Sequence, residues 1–305
     1  MASQRQSVTP RGARTAEHVR GNPAPVGVFD SGVGGLTVLR DLLRELPDER
    51  FVYFGDTGNC PYGVRTRAQI QALSLAAARY LLGRGAKMIV VACNTASVSA
   101  IVELRRQIGA PQDVPFVAVV PAVKPAAART RSGKVGVLAT EASARGDYLR
   151  QLVSEHANGA QVLAVGCPRL VMLAEQGVLD GPVAEAAVRE YVEPLLAAGV
   201  DTLVLGCTHF PAMRAVFERV AGPQVTVIDS GEAIARRTRV VLAEHGALAP
   251  RVIGRARLPR ALTDGDEFWC SGDVEQFERV AQAILRQEVR PRYAAGMLVE
   301  PEADD

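Results

Sequence analysis

The same local pattern occurs twice in this chain, as VVACNTAS at Val90–Ser97 and as LGCTHFP at Leu205–Pro211. In each copy an apolar run ends at a cysteine, and polar residues and a helical pattern follow. A short apolar run that precedes a helix is typical of a buried strand in an α/β fold. The two copies therefore predict two similar strand-to-helix corners in matching halves of one chain.

Strands and helices alternate along the rest of the sequence. Strands are predicted at 26–29, 51–54, 87–93, 117–120, 134–140, 161–165, 202–205 and 225–228, and helices at 36–46, 66–83, 97–108, 143–156, 183–197 and 212–221. This alternation favours an α/β fold with doubly wound, largely parallel sheets. The rhythm restarts after residue 117, and Asp229-Ser230-Gly231 repeats Asp30-Ser31-Gly32, which indicates an internal duplication.

We therefore predict two pseudosymmetric doubly wound α/β domains with the active site in the cleft between them. The first domain is discontinuous and comprises residues 26–117 and 226–290, and the second comprises residues 118–225. Residues 1–25 contain several arginines but no apolar run and are predicted to be a disordered tail. A C-terminal tail is predicted at 291–305.

Composition excludes several classes of protein. A net charge of +2 over 305 residues gives no support for a nucleic-acid partner, and the sequence has no apolar run of the roughly 20 residues that a membrane helix needs. The five cysteines form no closely spaced framework, so we expect a reducing, cytoplasmic location rather than a disulfide scaffold. We predict no metal site, because the sequence lacks C-x-x-C pairs and histidine clusters.

The paired thiols are the main candidates for chemistry. In open α/β sheets ligands bind at the carboxyl ends of strands, where Cys93 and Cys207 are predicted to lie. A helix N-terminus would lower the pKa of a thiol such as Cys93 and make it a usable base. Two facing thiols could remove a proton from one face of a carbon and return one to the other, as a racemase requires. A single buried cysteine would more simply be a packing residue.

Other residues near these corners could assist the thiols. Asp30 belongs to the glycine-rich turn DSGVGG at Asp30–Gly35, and its carboxylate could bind an ammonium group, support a thiol or cap the helix that follows. His209 could exchange a proton with Cys207. Glu175 follows an apolar stretch and could mark a solvated helix end or a cleft position. The remaining thiols are interpreted as packing or surface residues: Cys60, Cys167 and Cys270.

Taken together, these segments resemble the cofactor-independent aspartate/glutamate racemase superfamily and, within it, the glutamate racemases. The resemblance runs from about Val26 to Leu285. It rests on the motifs Phe29–Gly35, Tyr53–Asp56, Pro61–Gly63, Ala92–Ser97, Gly206–Pro211 and Ser271–Asp273. Jointly and in this order, the motifs are highly specific.

The resemblance implies interconversion of L- and D-glutamate without a cofactor, which supplies D-glutamate for peptidoglycan synthesis in the cell wall. It implies that Cys93 and Cys207 are the two acid/base residues, assisted by Asp30, Glu175 and His209. The residues implied to bind substrate are Asp30, Ser31, Tyr62, Gly63, Asn94, Thr95, Thr140, Thr208 and His209. We also expect a homodimer.

Two kinds of alternative remain open at the level of sequence. Within the same superfamily, an aspartate or hydantoin racemase would carry similar motifs, because aspartate and glutamate differ by one methylene group. From a different class, the two thiols could serve a redox switch or a regulatory binding module. A disulfide requires Cα atoms closer than about 7 Å, whereas a racemase needs room for a substrate carbon between the sulfur atoms.

Overall fold

Parallel strands and covering helices account for most of the chain. The computed structural model describes residues 21–251, 260–263 and 265–296. Of the tails predicted at 1–25 and 291–305, residues 1–20 and 297–305 lie outside the described residues. The strands are β1 (Val26–Asp30), β2 (Phe51–Gly55), β3 (Met88–Val91), β4 (Phe116–Ala118), β5 (Lys134–Ala139), β6 (Gln161–Gly166), β7 (Thr202–Leu205), β8 (Thr226–Ile228), β9 (Glu267–Cys270) and β10 (Pro291–Tyr293). The helices are α1 (Leu36–Glu45), α2 (Arg67–Gly83), α3 (Asn94–Leu104), α4 (Ala110–Gln112), α5 (Val123–Arg129), α6 (Glu141–Arg145), α7 (Asp147–His156), α8 (Pro168–Glu175), α9 (Pro182–Ala197), α10 (Arg214–Ala221), α11 (Gly231–Glu244) and α12 (Val274–Leu285).

The strands form two sheets that repeat one topology. The first sheet has the order β10-β9-β2-β1-β3-β4 and the second has the order β6-β5-β7-β8. Every neighbouring pair is parallel. Strands β2-β1-β3-β4 and β6-β5-β7-β8 therefore have the same order and direction, which is the internal duplication that the sequence predicts. The predicted α/β class, with two doubly wound units, is confirmed.

Each sheet is covered by helices on both faces. Strands β1, β2 and β3 are buried at every residue, as expected for the centre of a parallel sheet. One face of the first sheet packs against apolar side chains of α1, α11 and α12, and the other face packs against α2 and α3. In the second sheet, α8, α9 and α10 share a core on one face, and α5 and α7 pack on the other.

The ends of the two units differ from the predicted boundaries. The boundary at 226 assigns residues 226–228 to the first unit, but β8 pairs with β7 of the second sheet. Residues 291–293 are predicted to be tail, but β10 pairs with β9 and extends the first sheet. Both strands have only three residues and are largely exposed or half-buried. The sequence predicts the strand at 225–228 but not the sheet that it joins, and β10 lacks the apolar run that marks the central strands.

Two helices differ from their predicted bounds at local features that the apolar pattern did not reveal. Helix α3 begins at Asn94 rather than at the predicted Ser97, because the Cys93 side chain accepts a hydrogen bond from Ala96 N at the first turn. The helix predicted at 143–156 is divided at Gly146 into α6 and α7, and Thr140 caps α6. Both caps lie at carboxyl ends of strands. Within the residues that the structure describes, no helix is long and apolar enough to span a membrane.

Candidate active site

Cys93 lies at the carboxyl edge of the first sheet, two residues after β3. Its side chain is buried, and its Sγ accepts a hydrogen bond from Ala96 N at 3.4 Å and donates one to Ser31 Oγ at 3.5 Å. Strand order reverses between β1 and β3, and such switch points form the crevice in which open α/β sheets bind ligands. Cys93 and Ser31 therefore line the expected binding crevice of the first unit.

The environment of Cys93 favours the thiol over the thiolate. Burial raises its pKa to about 12, and the neighbouring Asp30 carboxylate acts in the same direction. The hydrogen bonds with Ala96 and Ser31 lower the pKa but do not outweigh these two effects. The predicted depression of this pKa by the helix N-terminus is therefore wrong, because loss of hydration is larger than the effect of the helix. Near neutral pH the Cys93 thiol holds its proton and is suited to donate it.

Cys207 occupies the equivalent position in the second unit, two residues after β7. Its Sγ lies 3.5 Å from Nδ1 of His209. On the other side of the ring, His209 Nε2 lies 2.5 Å from Oε1 of Glu175, and this oxygen accepts a further hydrogen bond from Val33 N at 2.8 Å. A continuous chain of contacts thus connects the Cys207 thiol with the glycine-rich turn of the other unit.

The surroundings of His209 favour the protonated form of its ring. Burial by itself lowers the pKa of the ring, but the charge of Cys207 and hydrogen bonds with Cys207, Cys60 and Glu175 raise it well above the ordinary value. A protonated imidazole can donate a hydrogen bond, and pass a proton, to a neighbouring sulfur atom. The two thiols therefore have different surroundings, with Asp30 beside Cys93 and His209 beside Cys207.

Asp30 joins the two units at the base of the site. Its Oδ2 accepts a hydrogen bond from Thr208 Oγ1 at 3.0 Å, and its Oδ1 accepts one from Gly32 N at 2.8 Å. Thr37 Oγ1 donates to the carbonyl oxygen of Thr208 at 2.9 Å and gives a second connection. Burial raises the pKa of the Asp30 carboxyl, and His209 opposes this rise. Asp30 does not cap α1, whose N-cap, Gly35, has no side-chain bond.

The glycine-rich turn allows the second unit to approach closely. A Cβ at Gly32 would lie 1.9 Å from Glu175 Oε1, and a Cβ at Gly34 would lie 2.7 Å from both His209 Nδ1 and Thr208 Oγ1. No side chain fits at these distances, so glycine is required for the Glu175 and His209 side chains to reach their positions. The turn therefore functions as a contact surface between the units.

The predicted substrate-binding residues lie around the same edge. Asn94 and Thr95 open α3 and are buried, and Thr95 Oγ1 lies 3.3 Å from Thr140 Oγ1 of the second unit. A Cβ at Gly63 would lie 3.2 Å from Thr140 Cβ, which places the Tyr62–Gly63 turn against the same threonine. The structure thus brings together the predicted residues of both units: Asp30, Ser31, Gly63, Asn94, Thr95, Thr140, Glu175, Cys207, Thr208 and His209, with Cys93 among them.

Asp56 is a buried carboxylate that the predicted site omits. Its Oδ2 accepts a hydrogen bond from the Tyr62 hydroxyl at 2.6 Å, and its Oδ1 accepts from Ser271 Oγ at 2.6 Å and from Asn59 Nδ2 at 2.9 Å. Burial raises the pKa of this carboxyl. Asp56 holds the turn that carries Tyr62. Its position directly after β2 is the sequence feature that could have identified it as a site residue.

Cys60 also lies nearer to the site than its interpretation as a packing thiol suggests. Its Sγ, a carboxylate oxygen of Glu175 and a ring nitrogen of His209 all lie within 4.8 Å of one another. Among the residues that the structure describes, this trio could hold a metal ion. Sequence spacing gave no signal for it, because the three residues come from three separate loops. Cys167 and Cys270 are buried thiols outside the site, and all five cysteines are free.

Comparisons of the sequence with known proteins find one family. Residues 28–238 match the model of the Asp/Glu/hydantoin racemase family. The chain is 48% identical over 272 residues to the glutamate racemase of Roseiflexus sp. (strain RS-1), covering 86% of this chain and 96% of that protein. It is 44% identical over 261 residues to the glutamate racemase of Herpetosiphon aurantiacus, covering 85% and 97%.

Comparison with solved structures also finds glutamate racemases. A glutamate racemase isoform from Bacillus anthracis superposes with a TM-score of 0.76 at 29% identity, covering 90% of this chain and 99% of that one. The Escherichia coli glutamate racemase, in complex with L-glutamate and the activator UDP-MurNAc-ala, superposes with a TM-score of 0.75 at 35% identity, covering 89% and 98%.

Proposed function

Since the chain belongs to the Asp/Glu/hydantoin racemase family, we propose that it interconverts L- and D-glutamate through the thiols of Cys93 and Cys207. One observation carries the proposal. Each thiol follows the third strand of its unit, β3 or β7, at the equivalent switch point of two sheets with the same strand order. A pair of acid/base groups related in this way can serve opposite faces of one carbon.

The proton transfer proceeds in two balanced steps. In one direction the Cys207 thiolate takes the α-proton and becomes a thiol, leaving a carbanion at the α-carbon. The Cys93 thiol then gives its proton to the opposite face and becomes a thiolate. The reverse direction begins with the Cys93 thiolate. After each turnover the protons on the two sulfur atoms must exchange with solvent before the same direction can run again.

The assisting residues divide between the two thiols. His209 Nδ1 lies 3.5 Å from Cys207 Sγ, and the raised pKa of the ring favours a protonated imidazole that can pass a proton to this sulfur. Glu175 keeps the His209 ring in this orientation through the 2.5 Å contact with Nε2. Asp30 raises the pKa of Cys93 and so favours the proton-donating form of that thiol.

Polar groups around the thiols bind the substrate in this proposal. Ser31, Asn94, Thr95, Thr140 and Thr208 supply hydroxyl and amide groups suited to the two carboxylates and the ammonium group of glutamate. Tyr62 and Gly63 belong to the turn that packs on Thr140. The hydrogen bond from Thr208 to Asp30 connects the two units, and the bond from Gly32 N to Asp30 holds the glycine-rich turn within the first unit.

A cofactor-free racemisation assay tests the proposal. Purified protein is incubated separately with L-glutamate, D-glutamate and L-aspartate, and circular dichroism follows the loss of optical activity. We expect loss of signal from both glutamate enantiomers and little change with aspartate. Faster racemisation of aspartate would favour the aspartate racemases of the same family, and stable signals with all three substrates would contradict a racemase function.

Three further features extend the proposal. The D-glutamate formed supplies peptidoglycan synthesis, the enzyme acts as a homodimer, and it works in the cytoplasm, where its five free thiols stay reduced. Sedimentation equilibrium tests the homodimer directly. A mass equal to a single chain of 32.5 kDa at assay concentration would contradict it.

A further inference from the structure

Cys60 places a third thiol beside the groups that assist Cys207. Its Sγ, a carboxylate oxygen of Glu175 and a ring nitrogen of His209 lie within 4.8 Å of one another. The racemisation steps above make no use of Cys60. The three side chains come from the loop after β2, the end of α8 and the loop after β7, so the folded protein alone brings them together.

The ligand types match a particular class of cation. Thiolate, imidazole and carboxylate are the three groups that Zn²⁺ binds in proteins, and three protein ligands with an open fourth position are a recurrent arrangement. A thiolate ligand disfavours Mg²⁺ and Ca²⁺, which prefer oxygen ligands. The chemistry of the trio therefore selects a borderline or soft divalent cation, with Zn²⁺ as the first candidate.

The surroundings hold two of the ligands in place. Glu175 Oε1 accepts a hydrogen bond from Val33 N at 2.8 Å and lies 2.5 Å from His209 Nε2. The missing side chain at Gly32 leaves the room that the carboxylate fills. Ligands that are already oriented lose little freedom on binding, and hydrogen bonds behind them strengthen metal affinity.

An ion also has a route to the trio. A cavity of about 320 Å³ is lined by Cys60 and Glu175 together with residues of the loop before α12 and the first turns of that helix. Cys60 is half-buried, whereas Glu175 and His209 are buried. The thiol therefore presents the first ligand to an incoming ion, and the two deeper groups complete the site.

We propose that Cys60, Glu175 and His209 form a binding site for Zn²⁺, and that occupation of this site inhibits the proposed racemisation. Coordination requires a thiolate at Cys60 and an unprotonated nitrogen at His209, and the displaced protons pass to the buffer. Once one ring nitrogen of His209 binds the metal, the ring can no longer become an imidazolium, so it lacks the second proton that it would pass to Cys207. The binding claim is independent of the proposed function, and the inhibition claim rests on it.

Direct binding measurements test the site without an activity assay. Metal-free protein is titrated with ZnCl₂ by calorimetry, and Co²⁺ is added in a parallel sample to detect thiolate-to-metal charge-transfer absorption. We expect one ion per chain in the wild type. We expect Cys60→Ala and Cys60→Ser to weaken binding by about 100-fold or more, because even outer-shell partners of a metal ligand cost up to that factor.

Cys270→Ala is the matched control, since it removes a buried thiol outside the site and should bind Zn²⁺ as the wild type does. Circular dichroism checks that all variants are folded. Equal affinity in the wild type and both Cys60 variants would overturn the proposal, because Cys93 or Cys207 would then hold the metal. Failure of the wild type to bind Zn²⁺ would overturn it as well.

Racemisation assays with added Zn²⁺ test the inhibition claim separately from binding. Zn²⁺ should abolish racemisation by the wild type and by Cys270→Ala, a chelator should restore it, and Cys60→Ala should need about 100-fold more Zn²⁺ for the same effect. Zn²⁺ binding through Cys60 with no loss of activity would overturn the inhibition claim and support the site. If no variant racemises glutamate, the proposed function fails while the binding data still decide on the site.

Discussion

Thr208 Oγ1 donates a hydrogen bond of 3.0 Å to Asp30 Oδ2, and this contact joins the loop after β7 of one sheet to the last residue of β1 in the other. The two residues are 178 positions apart in sequence. The same Asp30 carboxylate raises the pKa of Cys93. One carboxylate therefore connects the units and adds to the effect of burial in raising the pKa of one thiol.

Replacing this carboxylate should shift a pH profile. In the direction that begins with the Cys93 thiolate, kcat/KM should rise with pH toward the Cys93 pKa of about 12, because kcat/KM reports the free enzyme. Asp30→Asn removes a negative charge that disfavours the thiolate, so the Cys93 pKa falls and the rising limb moves to lower pH. Initial rates with each enantiomer over a range of pH give the measurement.

The control for this shift is Asp180→Asn, which removes an exposed carboxylate paired with Arg219 outside the site. The kcat/KM profile of Asp180→Asn should rise at the same pH as that of the wild type. The comparison concerns the pH of the rise and not the maximum rate of either variant. A rising limb at the same pH in Asp30→Asn would show that Asp30 does not control the Cys93 thiol.

Each catalytic thiol should be essential. Cys93→Ala and Cys207→Ala should each lower the rate of racemisation about 10²- to 10⁴-fold, the range expected when a general acid or base is removed. Cys270→Ala should keep nearly full activity, because that thiol lies outside the site. Circular dichroism assays from both enantiomers measure the effect. Wild-type turnover in both directions by either of the first two variants would contradict the two-thiol mechanism.

The fold follows from the sequence where apolar runs are long and buried. Strands β1 to β3 and β5 to β7 read as continuous apolar segments because helices cover both faces of each sheet. The sequence predicts β8 as a strand but not its pairing with β7, and it does not predict β10, because both strands are short and partly exposed and their place depends on pairing with a neighbour. The early start of α3 escapes prediction for a different reason: Cys93 caps the helix, and cysteine is not an expected cap.

The site was predictable as a set of residues but not as an electrostatic environment. Strand-end position and the repeated cysteine motif indicate Cys93 and Cys207. The direction of the Cys93 pKa shift depends on burial and on Asp30, which comes from a distant strand, and sequence spacing contains neither quantity. Cys60 was missed for the same reason, because its partners Glu175 and His209 approach it only in the folded chain.

The glycine-rich turn should be intolerant of a single methyl group. Gly32→Ala would place a Cβ 1.9 Å from Glu175 Oε1, so the carboxylate must move and its contact with His209 is lost. Displacement of about 1 Å near a reacting centre can cost about 100-fold in rate, and we expect a fall in kcat of that order. Gly83→Ala is the control, because a Cβ there meets nothing within 4 Å. Equal kcat values in the two variants would contradict the proposed role of Glu175 in orienting His209.

A buried ion pair away from the site should control stability. Lys87 Nζ lies 2.6 Å from Glu49 Oε2, and the two side chains are only 3% and 2% exposed. Glu49→Gln leaves the Lys87 charge without its partner, which should lower the free energy of unfolding by about 3 to 5 kcal/mol. Urea denaturation measures the change. Glu190→Ala, which breaks the exposed pair with Arg169, should cost less than about 1 kcal/mol.

The effect of Glu49→Gln should also depend on pH. Burial lowers the pKa of Lys87, and loss of Glu49 removes the interaction that opposes this shift. The folded variant then holds fewer protons than its unfolded chain below the lysine reference pKa of about 10.4, so its stability rises with pH up to that value. If the loss of unfolding free energy in Glu49→Gln stays the same between neutral and alkaline pH, this explanation is wrong.

Isotope exchange distinguishes two fixed thiols from one mobile base. Cys93 and Cys207 each follow a strand of a different sheet, so we expect that neither sulfur reaches the opposite face of the α-carbon. In heavy water the proton that one thiol removes is then not the one that the other returns. Early in the reaction, D-glutamate formed from L-glutamate should carry deuterium at the α-carbon, while recovered L-glutamate carries much less. A single base that serves both faces would return the original hydrogen or label both enantiomers alike. Mass spectrometry of the separated enantiomers decides between these results, and equal early labelling of substrate and product would exclude the two-thiol mechanism.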